Sequence, residues 1–166
     1  MTNTYFDFED GNGPVPAHKH SNGGGWVADT ATVTDTAYVG PDAKVFGKAK
    51  VYGNALVSGN AKVSGNAKVY GDAWVYGDAQ VYDNATVGGN AQVYDNAWVS
   101  GDAWVYGDAW VYGDAWVYGD ARVYGNAWVS GDAWVTGNAK VDKDKPSEEQ
   151  PEKDRIFING KWYAEE

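Results

Sequence analysis

Valine falls at every sixth position of one unbroken run, from Val27 to Val141, with no insertion and no slip. Alanine stands two residues before each valine from Ala31 to Ala139, and Gly25 takes that place in the first repeat. The phrase reads Ala-x-Val-x-Gly-Asn/Asp and recurs 20 times. Side chains alternate along an extended chain, so alanine and valine point one way and the two residues flanking valine point the other. Glycine accepts positive φ, and Asn and Asp tolerate it best among the rest, so each phrase ends in a sharp corner.

Two arrangements suit that pattern. Gly-Asn and Gly-Asp also fit tight hairpins, which would give a flat meander. A meander leaves the valines and alanines on an open face that nothing in the sequence covers. Coiling three hexapeptides per turn into a triangular prism buries the same face against itself, and burial decides for the solenoid. The repeats then make between six and seven coils, a rod about 32 Å long at ~4.8 Å per coil.

The run resembles the hexapeptide-repeat family, whose pattern of an aliphatic residue, a small residue and six-residue spacing is met across residues 25–142. The resemblance implies a left-handed parallel β-helix, an all-β fold, against the usual right-handed crossover rule. The opening Gly13-Pro14-Val15-Pro16-Ala17-His18-Lys19-His20, with the run on to Ala31, also looks like hexapeptide-repeat proteins of phages and prophages. That likeness implies a viral setting, in the host cytoplasm or on a particle.

Outside the repeats, residues 1–24 are expected to cap the first coil. Tyr5-Phe6-Asp7-Phe8 alternates as a short strand would, and Gly11 to Gly24 has the chemistry of a loop. Residues 143–154, charged and holding Pro146 and Pro151, read as a linker. Residues 155–166 carry a hairpin signature around Asn159-Gly160 and are expected to cover the last coil.

Composition narrows the chemistry. The chain of 166 residues has no cysteine, which excludes disulfides and thiolate metal sites. No basic, apolar leader opens it and no apolar run approaches the ~20 residues of a membrane span, so a cytoplasmic protein with no membrane contact is expected. The net charge of −10 hides a gradient, with Lys44, Lys48, Lys50, Lys62 and Lys68 early and aspartates dominating later.

Catalytic members of the resembled family, acyltransferases and γ-type carbonic anhydrases, use histidine as base or zinc ligand. Here no histidine lies in the repeats and no loop interrupts them, so an enzyme is the least favoured reading and no cofactor is expected. The two histidines, His18 and His20, stand in one His-x-His stretch and would share a side if extended. They are weak candidates for a metal, because two ligands make a poor site. The corner aspartates serve the turns, and calcium would need several oxygens converging.

The outward positions carry the most information. Trp74, Trp98, Trp104, Trp110, Trp116, Trp128 and Trp134 precede valines, while Tyr76, Tyr94, Tyr106, Tyr112 and Tyr118 follow them. Stacking across strands accounts for part of this, but apolar surface on this scale marks interfaces, where Trp and Tyr are favoured anchors. The sequence therefore reads as a non-enzymatic binding protein. It is expected to self-associate as a dimer or trimer, or to bind a host protein as an anti-defence inhibitor. Alternatives are a structural or glycan-contacting module of a phage particle, and an acidic mimic of DNA. The acidic setting of the rings argues against nucleic acid as a ligand.

Overall fold

The computed structural model describes residues 4–142 in full and the backbone of Ile156–Ile158 and Lys161–Tyr163. Inward positions are used as the alternation requires. Every repeat alanine from Ala37 to Ala139 and every valine from Val39 to Val135 is buried. Each buried valine stabilises by ~1.5–3 kcal/mol relative to exposure. The interior is one continuous column of these two residue types.

Coils stack in parallel register. Val69 pairs with Val51 on one side and Val87 on the other, which sets a repeat of 18 residues along the rod. Backbone donors run from each coil to the next: Trp74 N–H donates to Ala91 O at 2.9 Å, Tyr76 N–H to Val93 O at 3.0 Å. Three sheets result. Face I holds Trp26–Ala28, Lys44–Val45, Lys62–Val63, Gln80–Val81, Trp98–Val99, Trp116–Val117 and Trp134–Val135. Face II runs from Thr32–Val33 to Lys140–Asp142, and face III from Tyr38–Val39 to Trp128–Val129. The fold is an all-β parallel solenoid of about six turns.

Corners need backbone that L side chains resist. At Gly71, φ is +71°, and a Cβ there would stand 3.0 Å from the Gly89 carbonyl oxygen of the next coil. Two corners reach positive φ without glycine. Asp83 and Asp95 adopt φ of 56° and 57°, and their carboxylates accept the backbone N–H of Gly101 and Gly113 at 3.2 and 3.3 Å. Aspartate tolerates this conformation and repays part of its cost with the hydrogen bond.

Face I alone is extended at both ends. Val15–Lys19 pairs antiparallel with Trp26–Ala28, and Tyr5–Phe6 pairs antiparallel with Val15–Lys19. The stretch expected to be loop thus contains a five-residue strand. Proline fixes a φ that extended chain accepts, and the Pro16 carbonyl still takes the Asp29 N–H at 2.9 Å. The segment also reaches over the flank of the rod: Phe6 stacks on Trp26, Phe8 on Phe46, and Glu9 pairs with Lys44 at 2.8 Å and Lys62 at 3.8 Å. At the other end, Ile156–Ile158 pairs antiparallel with Trp134–Val135 and then with Lys161–Tyr163. The expected linker, 143–154, and the Asn159-Gly160 turn lie outside the described residues. Among the described residues no helix is long and apolar enough to cross a membrane.

Candidate functional site

The register places the outward aromatics in columns, one ring above the next at coil spacing. On face I, Trp98 and Trp116 stack with centroids 4.7 Å apart and planes 10° apart, and Trp134 follows at 5.7 Å. Tyr118 belongs to the same face, between Ser100 and Thr136 in its column. On face III, Tyr76, Tyr94 and Tyr112 stack at 4.8 and 5.0 Å with planes nearly parallel, and Trp110 stacks on Trp128 at 5.5 Å. Trp74 meets Tyr76 edge-on, with Leu56 and Gln92 above and below it in the strand register. On face II, Tyr52 stacks on Tyr70 and Tyr106 on Tyr124, while Trp104 meets Tyr106 edge-on and lies under the Arg122 guanidinium at 5.8 Å.

This geometry decides what the rings offer. Rings stacked in parallel spend their π-faces on one another and turn their edges outward. A sugar or a base, which stacks on a free ring face, finds few such faces along the ladders. Tryptophan nevertheless stays half open to solvent: Trp74 is 47% and Trp128 54% exposed. The column tyrosines, nearer the corners, are half-buried beside them except Tyr52, which is exposed. Burial pushes the Tyr94 hydroxyl up to about 12, helped by Tyr76, Tyr112 and Asp95 alongside. Tyr52, Tyr76 and Tyr106 are raised too, again chiefly by desolvation.

The histidines are taken up by the cap. His18 Nδ1 lies 2.8 Å from the Asp29 carboxylate, and His20, buried, has its Nε2 3.0 Å from the Ala37 carbonyl oxygen. Each ring thus has a separate partner. No group of three or more His, Asp or Glu side chains suited to a metal occurs among the described residues.

Corner carboxylates also have work within the fold. Asn54 Nδ2 donates to Asp72 at 3.0 Å, Asn60 to Asp78, Asn90 to Asp108 and Asn96 to Asp114 at 2.9 Å, each across one coil. Asn66, Asn84 and Asp102 make a chain of two such bonds. The alternation of Asn and Asp at 18-residue spacing was the signal for these ladders, and turn propensity alone does not find them.

With parallel coils of 18 residues and no helix among the described residues, the chain falls in the class of β-solenoids. Its repeats match the model of the YdcK beta solenoid repeat at residues 49–63, 61–77, 79–93, 91–107, 115–131 and 121–137. Comparison with curated proteins and with solved structures gives no match.

Proposed function

We propose that this solenoid is a non-enzymatic protein-binding rod that works through its outward aromatic ladders. The observation that carries the reading is face III, where Trp74 and Trp128 stand half-open and Trp110 is partly exposed beside the Tyr76–Tyr94–Tyr112 stack, with no charged residue at an outward strand position. Rigid rings already ordered by stacking lose little side-chain entropy on docking, which favours them as anchors for a flat protein surface. Their mutually occupied π-faces make a glycan the weaker alternative. The non-enzymatic part rests on how titratable groups are used: both histidines serve the cap, and five corner aspartates accept amide bonds. The setting that goes with this reading is the cytoplasm of an infected bacterium, as the likeness of residues 13–31 to phage and prophage proteins implies.

The test compares the chain with Trp74→Ser/Trp128→Ser, by light scattering for copies of itself and by affinity capture for a second protein. Association seen with the natural chain should be lost with the variant while its cooperative thermal unfolding is kept. Equal behaviour of the two would sink the reading.

A further inference from the structure

The three faces differ in charge. Lys44 and Lys62, on face I, turn to Glu9, and antiparallel strands extend that face at both ends. The other bases of the solenoid, Lys48, Lys50, Lys68, Arg122 and Lys140, lie on face II or at its corner. Face III is uncharged at every outward strand position from Tyr38 to Ser130. Its rims hold Asp35, Asp42, Asp72, Asp78, Asp95, Asp108, Asp114 and Asp132 and no base. Face II shares the rim of Asp35, Asp72 and Asp108 and has Asp29, Asp83, Asp102 and Asp120 on its other, but it sets its bases against them.

We propose that face III of one copy receives face II of a second copy, an inference that rests on the protein-binding reading above. Two copies joined face III to face III would set one acidic rim against another, a like-charge contact that costs affinity. Face II supplies what that rim lacks. Lys50, Lys68, Arg122 and Lys140 stand within the strands, where they would meet tryptophan as cations over rings within reach of the rim carboxylates.

A contact between two different faces is heterologous, so every copy keeps one face of each kind for the next, and the assembly closes as a ring or grows. Size argues for the same use of two faces. Six strands at ~4.8 Å and a side of ~17 Å give one face on the order of 500 Å². A standard interface takes about 800 Å² from each partner. One contact of this size makes a weak pair, populated at high protein concentration, and two contacts per copy hold a larger assembly more firmly.

The test is complementation between two surface variants of the full chain. Lys50→Glu/Lys68→Glu spoils face II, and Trp74→Ser/Trp128→Ser spoils face III. Each should weaken self-association about 30-fold or more, and Lys50→Arg/Lys68→Arg should keep it. Circular dichroism and the thermal midpoint establish that each variant is folded. Mixed in equal amounts, the two spoiled variants should form 1:1 dimers that grow no further, because one sound face of each kind remains.

A natural chain that stays monomeric overturns the proposal, as does a mixture that stays monomeric or a face II variant that assembles normally. A monomeric chain that still captures another protein through Trp74 and Trp128 overturns the pairing of copies alone. The binding reading would then stand.

Discussion

Tyr70 lies across Gly88. A Cβ built on that glycine would overlap the ring's Cζ, so the tyrosine occupies the space a side chain at 88 would take. Gly88 holds a place that tyrosine fills at 52, 70, 106 and 124 in the same column, and Tyr70 leans into the gap.

Gly88→Ala should therefore cost less than the ~1–3 kcal/mol of overpacking in a fixed core, since the free end of the Tyr70 ring can swing away. In a Tyr70→Ala background the cost should vanish, a coupling that a double-mutant cycle in urea reads directly. Gly71→Ala is the contrast. There the neighbour is backbone of the next coil and φ is positive, so ~1–3 kcal/mol is expected with nothing able to move.

Alkali should act through the tyrosine stacks. Tyr94 is neutral in the fold up to about 12, whereas an unfolded tyrosine ionises near ~10. A folded-state value raised above the unfolded one gives stability that is whole below ~10 and lost as pH rises towards about 12. Thermal midpoints should hold up to that window and fall within it. Phenolate absorbance should still be rising as pH nears about 12, and Tyr94→Phe should flatten the loss.

Asn96→Asp should destabilise the corner it occupies. The change removes the amide bond to Asp114 and makes an unbroken file of carboxylates at positions 78, 96, 114 and 132. A cost of roughly 1 kcal/mol at low salt is expected, shrinking as salt is raised, because exposed like charges are screened. Denaturant midpoints at two ionic strengths would show it, and a salt-independent loss would refute the electrostatic account.

Stability and binding should separate between two tryptophans. Trp116 is stacked on both sides, by Trp98 and Trp134, so a Trp98/Trp116 cycle should return a coupling of ~0.5–1.5 kcal/mol. Trp74 meets its neighbouring ring, Tyr76, edge-on rather than in parallel. Trp74→Ala should change stability by about 0.5 kcal/mol or less while weakening association. Far-ultraviolet circular dichroism adds a check, since stacked indoles couple and the signal should fall with Trp116→Ala far more than with Trp74→Ala.

The solenoid was legible because one physical demand recurs in it. Each Ala and Val pair must be covered, and only closure covers them all, so the period set the coil, the register and the aromatic columns of the three faces together. The cap obeys no such repetition. Val15–Lys19 sits among Gly and Pro, which speak locally for loop, and only the open edge of Trp26–Ala28 turns it into strand. His20 gave no sign of burial, since the Ala37 carbonyl it meets is 17 residues away with no periodic link. Asp83 and Asp95 were readable as departures from glycine, but the N–H groups they satisfy appear only once coils are stacked. The sorting of bases onto faces I and II follows from taking the sequence by threes, but the pairing of the face I lysines Lys44 and Lys62 depends on Glu9, which no repeat announces.

Because residue i stands over residue i + 18, the chain has a phase as well as a sequence. Gaining one hexapeptide would leave every valine inside and every corner sound, yet turn all that follows by a third of a revolution. The tryptophans of face I would then continue a lysine column, and the uncharged wall would break in the middle. Losing three hexapeptides would shorten the rod and leave each wall itself. Lineages of such a protein can therefore change length freely only in whole coils, and a one-hexapeptide slip is a change of surface identity that core stability does not detect.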